Sequence, residues 1–172
     1  MSSFATSYIP TVASTVTRAA DTASMTGTNF SSWYNQSQGS LYVEIDTINN
    51  YVGSTVFRIS DGSGNNRIEL GSYTGNASRY LMVTSGANPF ISVFGTPVAQ
   101  VKLAVTFIVG NYLQAFNGTY TTASTSILPL PLVNKLDIGN ELTSNSWLSG
   151  HIKKISYYPV ALSSSNLVAL TS

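Results

Sequence analysis

The chain offers few residues that could perform acid–base or nucleophilic chemistry. Glu44 and Asp46 stand two residues apart in an alternating segment, so an extended strand would place both carboxyl groups on one face. Two carboxyl groups about 5 to 5.5 Å apart are what a retaining glycoside hydrolase uses. His151 is the single histidine, and the sequence lacks the Gly-x-Ser-x-Gly turn on which many catalytic triads place their serine. We expect His151 to lie in solvent beside Lys153 and Lys154.

A calcium site is the one metal site that these side chains could build. Calcium takes its ligands from carboxylate, amide and carbonyl oxygens. Asp61, in an Asp-Gly-Ser-Gly-Asn-Asn segment, is the best candidate, followed by Asp137 and Glu141, although the seven carboxylates show no calcium-loop spacing. The absence of cysteine excludes disulfides, thiolate zinc sites and thiol catalysis. We therefore expect no cofactor, with calcium as the alternative.

Aromatic and arginine side chains are the candidates for binding. A flat ring can cover the C–H face of a sugar while Asn, Arg and Asp side chains bond its hydroxyl groups. The aromatic residues in or beside predicted loops are Trp33, Tyr34, Tyr51, Tyr73, Tyr80 and Trp147. The polar partners assigned to them are Arg58, Arg67 and Arg79, provided that the sheet face they occupy is concave. Packing in the core or at its rim is the alternative for each aromatic residue.

Length and charge limit the classes of partner. A chain of 172 residues with 43% apolar content can bury one sizeable core, so we expect a single domain over residues 1–172. Only 9% of the residues are charged and the formal net charge is +1, which argues against nucleic acid because phosphate binding needs clustered cations. No apolar run approaches the roughly 20 residues of a membrane-spanning helix, so membrane insertion is not expected.

The hydrophobic pattern predicts a series of short strands separated by turns. Alternation is clearest where apolar and polar residues take turns along one segment, and Gly, Asn and Asp residues mark the intervening turns. The predicted strands are Gly39–Ile48, Ser54–Ser60, Asn66–Leu70, Arg79–Thr84, Val101–Val109, Asn111–Phe116, Lys135–Gly139 and Gly150–Tyr158. This pattern is typical of an all-β fold, a two-sheet antiparallel jelly-roll sandwich with one short C-terminal helix.

Several local features refine this prediction. Asn117-Gly118 is a strong signal for a two-residue hairpin turn. A bulge near Lys153-Lys154 would return the isoleucines on either side to the core face. Ser163 is placed to cap the closing helix, with Leu162 and Leu167 as a hydrophobic staple and Leu170 also facing the sheet. Proline residues predict an interruption between the fourth and fifth strands, and Asn29–Asn35 reads as a loop or one-turn helix that presents two large aromatics.

Three C-terminal segments resemble the concanavalin A-like, laminin G-like jelly roll. They are the Val101–Gly118 strand pair, the Leu136-Asp-Ile-Gly139 strand and the Leu148–Leu170 strand with its helix. Three N-terminal segments are similar to the laminin G-like domains of tailed-phage tail, fibre and other virion proteins. These are Phe4–Thr11, Val16–Asp21 and Asn29–Asn35.

This resemblance implies a function without catalysis. We expect a phage virion module that binds carbohydrate on the host cell surface, located on the particle in a tail fibre or the capsid. Its expected partners are a host-surface glycan, other virion proteins and further copies of itself, for example in a trimer. The alternative is a structural virion protein, a capsid decoration or fibre-tip component. Retaining glucanases share this jelly roll, but the third acid of their Glu-x-Asp strand is missing at residues 47–49, so a glycoside hydrolase ranks last.

Overall fold

The computed structural model describes residues 23–47, 54–72, 77–95, 100–125, 127, 129–140, 148 and 150–172. In this part of the chain there are eleven strands and two short helices. In chain order they are β1 (Ala23–Thr26), α1 (Thr28–Ser31), β2 (Gln38–Thr47), β3 (Thr55–Ser60), β4 (Arg67–Ser72), β5 (Ser78–Thr84), β6 (Ala87–Phe94), β7 (Gln100–Ile108), β8 (Tyr112–Phe116), β9 (Thr119–Ser124), β10 (Lys135–Ile138), β11 (Gly150–Tyr158) and α2 (Ser164–Thr171). None of the described helices is long and apolar enough to cross a membrane.

The strands form two antiparallel sheets that pack face to face. The six-stranded sheet has the order β1-β10-β3-β4-β5-β6, and the five-stranded sheet has the order β11-β2-β7-β8-β9. Apolar side chains from the inner faces of both sheets form one core, to which Val43, Phe57, Leu70 and Phe107 belong, all fully buried. The predicted all-β jelly-roll sandwich with a short C-terminal helix is therefore confirmed.

The helix α2 covers the outer face of the five-stranded sheet. Ser163 caps it, since its side-chain oxygen accepts a hydrogen bond from the backbone N–H of Asn166 at 3.3 Å. Leu167 is fully buried against strand residues, with Leu162 and Leu170 packed around it. The predicted cap and the predicted inward-facing leucines are confirmed. This outer face is thus partly occupied by the chain itself. The outer face of the six-stranded sheet carries charged side chains, and its central part is also buried, since every residue of β3 and every residue of β4 after Arg67 is buried.

Of three predictions about irregularities and ends of strands, the structure confirms one and contradicts two. The register of β11 against β2 shifts between Ile152 and Lys154, which confirms the predicted bulge. The predicted interruption at Pro89 is wrong, because β6 runs through it. Proline is tolerated there because β6 is an edge strand with one partner, β5. The predicted strand Val101–Val109 ends one residue too late, because β7 ends at Ile108 and Val109 is 48% exposed.

Candidate functional site

A cluster of ionised side chains lies on the outer face of the six-stranded sheet. Glu69 is fully buried in the middle of β4. Arg79 on β5 donates a hydrogen bond to its Oε1, and the Nε of Arg67 lies 3.4 Å from its Oε2. The hydroxyl of Thr55 approaches Oε1 at 3.5 Å. We call the surface formed by Arg58, Arg67, Glu69 and Arg79 the arginine face.

The strand register explains why these residues meet. Side chains two residues apart in a strand share a face, so Arg67 and Glu69 both point away from the core residues Ile68 and Leu70. Arg58 on β3 stands directly opposite Glu69, and Arg79 on β5 stands opposite Gly71, one position along the same face. The three arginines predicted from the sequence as binding residues are thereby brought to one surface.

The loop of residues 61–66, between β3 and β4, closes one end of the arginine face. Arg58 donates to the carbonyl oxygen of Ser63, and Arg67 donates to that of Gly64. The carboxylate of Asp61 accepts hydrogen bonds from the backbone and hydroxyl of Ser63, each at 2.7 Å, and from Asn66 at 2.9 Å. These bonds, those from Ser63 first, lower the pKa of Asp61 below its ordinary value. The loop is therefore fixed both by its own side chains and by the arginines beneath it.

The exposure of the three arginines differs. Arg58 is only 2% exposed, so the structure buries it, whereas Arg67 and Arg79 are each 19% exposed in their side chains. Arg58 is thus placed to support the loop, and the side chains of Arg67 and Arg79 are the partly exposed ones. A ligand that approaches this face meets Arg67 and Arg79 first.

An ion pair flanks the arginine face on one side, and exposed apolar side chains flank it on the other. On β10, Lys135 pairs with Asp137 at 2.9 Å, and Asp137 stands opposite Arg58 in the neighbouring strand. Together with the arginine face and Asp61 in its adjoining loop, this gives four cations against three carboxylates. On β6, Ile91 and Val93 are 46% and 47% exposed. Val93 is the cross-strand neighbour of Arg79, so a guanidinium group and an apolar strip lie side by side.

The aromatic residues of α1 and of the turn that follows it mainly pack against each other. Phe30 and Tyr34 stack with ring centroids 4.8 Å apart, and Trp33 and Tyr34 contact Tyr157 at 4.9 and 5.7 Å. Burial, and secondarily the neighbouring Tyr157, raises the pKa of Tyr34. The indole N–H of Trp33 donates to the carbonyl oxygen of Asn29 at 2.7 Å. The sequence motif therefore supplies one wall of the core, with Trp33 and Tyr34 partly accessible at its rim.

Of the other aromatic candidates, the structure describes only Tyr80. Tyr80 is fully buried in β5 and points into the core, where it contacts Phe90 at 4.9 Å, so its predicted place in or beside a loop is wrong. Tyr51, Tyr73 and Trp147 lie outside the described residues.

The residues singled out for acid–base chemistry are held by separate neighbours on the other sheet. Glu44 accepts hydrogen bonds from Tyr42 at 3.2 Å and from Gln100 at 2.8 Å. Asp46 pairs with Lys153 at 2.9 Å, and His151 is exposed on β11 opposite Asp46. Each carboxylate is thus engaged with its own partner.

The calcium candidates do not converge in the part of the chain that the structure describes. The Asp61 carboxylate is occupied by Ser63 and Asn66, and Asp137 pairs with Lys135. Glu141 lies outside the described residues. No group of three or more His, Asp or Glu side chains that could hold a metal occurs among the residues described.

A cleft that the sequence did not indicate opens beside α1. Its volume is about 280 Å³, and its lining residues are Gly27, Phe30, Ser31, Tyr34, Gln36, Val133 and Asn134. The segment after Pro129 forms one wall, where the side-chain amide of Gln36 donates to the carbonyl oxygen of Pro131 at 2.6 Å and accepts from the backbone N–H of Val133 at 3.4 Å. The backbone of Asn134 in turn donates to Ser60 of β3 at 2.9 Å. The two contacts of Gln36 join residues 95 and 97 positions apart, which no local pattern reveals.

Comparisons with known proteins identify the fold. No protein-family model matches the chain, and no curated protein matches its sequence. Among solved structures, it is similar to the CBM40 carbohydrate-binding module of the Ruminococcus gnavus IT-sialidase, bound to alpha2,6 sialyllactose. The TM-score is 0.66 at 15% identity, over 80% of this chain and 85% of that one.

Two further structures extend this likeness. Domain 4 of AbnA, a GH43 extracellular arabinanase from Geobacillus stearothermophilus in complex with arabinotriose, gives a TM-score of 0.65 at 18% identity, over 80% of this chain and 68% of that one. Domains LG4-5 of the mouse laminin alpha1 chain give a TM-score of 0.64 at 8% identity, over 83% and 40%. At such identities the likeness shows the fold alone, which is the concanavalin A-like, laminin G-like jelly roll.

Proposed function

We propose that this chain is a noncatalytic carbohydrate-binding module and that the arginine face is its binding surface. The observation that carries the proposal is the pair of partly exposed side chains of Arg67 and Arg79, both anchored on the buried carboxylate of Glu69. Side chains that are already held in one conformation lose little conformational entropy when a ligand binds.

The chemistry of this surface suits a sugar that carries a carboxylate. A guanidinium group presents a planar fork of donors that matches carboxylates and pairs of hydroxyl groups. Four cations against three carboxylates leave an excess of one positive charge, which favours a negatively charged ligand. The apolar strip of Ile91 and Val93 offers a surface for the C–H face of a ring. The similar CBM40 module was solved with sialyllactose and the similar arabinanase domain with arabinotriose, which supports a glycan as the ligand.

We further propose that the module acts on the surface of a phage particle, in a tail fibre or the capsid, and recognises a glycan on the host cell. The motif resemblance of Phe4–Thr11, Val16–Asp21 and Asn29–Asn35 is the support for this location. Other virion proteins and a trimeric assembly belong to the same proposal. Labelling of phage particles with an antibody raised against this chain tests the proposed location. Particles that remain unlabelled would contradict a location on the virion.

A structural role in the virion is the second candidate, and the sheet edge at β6 favours it. This edge strand exposes Ile91 and Val93, and Tyr120 on the uncharged edge strand β9 is 37% exposed. Apolar side chains on an unpaired sheet edge favour contacts with another chain. Sedimentation of the chain alone and with purified particles would detect such contacts. A monomer that does not bind particles contradicts this candidate.

A glycan array probed with the isolated chain tests the main proposal. We expect binding to a subset of glycans that carry carboxylates. Arg79→Lys keeps the charge next to Glu69 but loses the planar fork, so we expect a loss of about 10- to 100-fold in affinity, the range of a hydrogen bond to a charged group. Lys154→Arg, on the outer face of the five-stranded sheet, is the matched control and should leave binding unchanged.

Three outcomes would contradict the proposal. An array on which no glycan binds at high protein concentration rejects carbohydrate binding. Binding that Arg79→Lys and Arg67→Lys both leave unchanged rejects the arginine face as its location. Hydrolysis of a β-glucan by the wild-type chain that disappears in Glu44→Gln rejects the noncatalytic part.

A further inference from the structure

We infer that the cleft beside α1 is a second binding site, and that it takes a single uncharged sugar ring. The cleft lies between the aromatic residues of α1 on one side and residues 133–134 on the other, with a volume of about 280 Å³. This volume is at the lower end of the range of small-molecule sites. A cleft of this size fits one pyranose ring rather than an oligosaccharide.

The floor and the rim of the cleft have different chemistry. The floor consists of Phe30, Tyr34 and Val133, and the two rings stack on each other, so the floor is rigid and apolar. Ser31 and Asn134 stand at the rim, and both are exposed. Neither side chain forms a hydrogen bond with another residue in the described part of the chain, so both can bond a ligand. An apolar floor with hydroxyl and amide groups at its rim matches the C–H face and the hydroxyl groups of a sugar ring.

The lining of the cleft also defines the charge of its ligand. None of the seven described lining residues is ionised at neutral pH. A carboxylate would lose its hydration there without gaining a cation, which is unfavourable. The cleft is therefore suited to a neutral hexose, in contrast to the arginine face.

Gly27 lines the cleft at the turn from β1 into α1. Its φ of +57° and ψ of −139° belong to a backbone region that glycine alone adopts without strain. A Cβ atom built on Gly27 would meet no other atom within 4 Å, so the space in front of it is empty. The tight turn from β1 into α1 thus places the aromatic floor next to solvent.

The cleft and the arginine face are separate sites. Gly27 follows β1, whereas Arg79 lies on β5, four strand positions away in the same sheet. Neighbouring strands are about 4.8 Å apart, so Gly27 and Arg79 are separated by roughly 19 Å. Arg58, at the near end of the arginine face, lies on β3, only two strand positions from β1. Substitutions at Ser31 and at Arg79 therefore affect opposite ends of this surface.

Titration of the full chain with neutral methyl hexopyranosides, followed by saturation-transfer NMR, tests this inference. The probes are the methyl glycosides of glucose, galactose and mannose, and methyl β-D-glucuronide is the charged comparison. We expect at least one neutral glycoside to bind with a dissociation constant on the order of 1 mM, as is usual for so small a ligand. Ser31→Trp should fill the cleft and weaken this binding at least tenfold, whereas Ser31→Ala should retain most of it. Asn134→Ala, which leaves the cleft open, should weaken it about three- to tenfold.

The result with Arg79→Lys separates this site from the arginine face. We expect Arg79→Lys to leave the neutral glycoside bound and to weaken the glucuronide, and Ser31→Trp to do the reverse. A wild-type chain that binds a neutral glycoside but not the glucuronide would reject the arginine face and leave the cleft supported. Neutral glycoside binding that is absent at tens of millimolar, or that Ser31→Trp and Asn134→Ala both leave unchanged, would overturn the inference. Thermal unfolding of each variant verifies that it is folded.

Discussion

Replacing Glu69 by glutamine should destabilise the protein more than a surface ion pair would explain. Glu69 is fully buried and its carboxylate is the shared partner of Arg67 and Arg79. Glutamine keeps the shape but removes the charge, and its NH₂ group is a donor that faces two cations. Removing one partner of a buried ion pair costs about 3–5 kcal/mol. Because both arginines are 19% exposed and water can solvate them in part, we expect the lower end, about 3 kcal/mol.

Urea-induced unfolding of wild type and Glu69→Gln measures this loss. In thermal unfolding of a chain of this length, a loss of about 1 kcal/mol in the free energy of unfolding lowers the melting temperature by roughly 2–4 °C. The melting temperature of Glu69→Gln should therefore lie about 6–12 °C below that of wild type. Glu44→Gln is the matched control. Its carboxylate is partly exposed on the other sheet and accepts from Tyr42 and Gln100, so its loss should stay below about 1 kcal/mol. A loss below about 1 kcal/mol for Glu69→Gln as well would refute the view that this carboxylate organises the arginine face.

Three further substitutions test other parts of the structure. Ser163→Ala removes the cap of α2 and should cost about 1 kcal/mol in urea unfolding. Gly39→Ala would bring a Cβ atom within 2.5 Å of the Phe107 ring, and this overpacking should cost about 1–3 kcal/mol. Ser63→Ala should raise the pKa of Asp61 towards its ordinary value, as measured by NMR titration. Because the pKa of Asp61 is lowered in the folded state, its ionised carboxylate stabilises the fold above about pH 4, and this contribution is lost on acidification. The difference in stability between wild type and Ser63→Ala should therefore shrink below about pH 4.

Matched controls accompany these substitutions. Ser164→Ala changes the next residue without removing the cap and should be nearly neutral. Gly64→Ala would meet only the flexible end of Arg67, at 3.5 Å, and should also be nearly neutral. Equal effects of each substitution and its control would contradict the corresponding contact. A pKa of Asp61 that does not move in Ser63→Ala would contradict the arrangement of its loop.

Eight of the eleven described strands and the closing helix were predictable because their signals are local, whereas β1, β6 and β9 were not predicted. Alternation along β7 (Gln100–Ile108) follows from its own residues, as do the serine cap of α2 and the Asn117-Gly118 turn, where both residues take positive φ. The bulge in β11 could be predicted from the three-residue spacing of Ile152 and Ile155. In each of these cases the period or the turn chemistry of a few neighbouring residues determines the structure.

The binding surface could be predicted only in part, because it depends on how distant strands align. Arg58, Arg67 and Arg79 were candidates by residue type, but only the pairing of β3, β4 and β5 brings them around Glu69. A shift of one residue in that register would have turned the same side chains into the core. The sequence held no signal for Glu69 as their shared partner.

The positions of the aromatic residues were harder to predict than the strands, because aromatic side chains occur both at binding sites and in cores. Tyr80 belongs to a regular buried strand, and Tyr34 packs against Tyr157, more than 120 residues away. The cleft beside α1 likewise depends on residues 131–134 returning to Gln36. Contacts at such sequence separations leave no local period in the sequence.

A structure of the protein with the best-bound glycan of the array tests the central claim most directly. We expect the glycan to bind on the outer face of the six-stranded sheet, with an oxygen of its acidic sugar within hydrogen-bonding distance of Arg67 or Arg79. A glycan bound on the outer face of the five-stranded sheet, or one that leaves both guanidinium groups uncontacted, would contradict it.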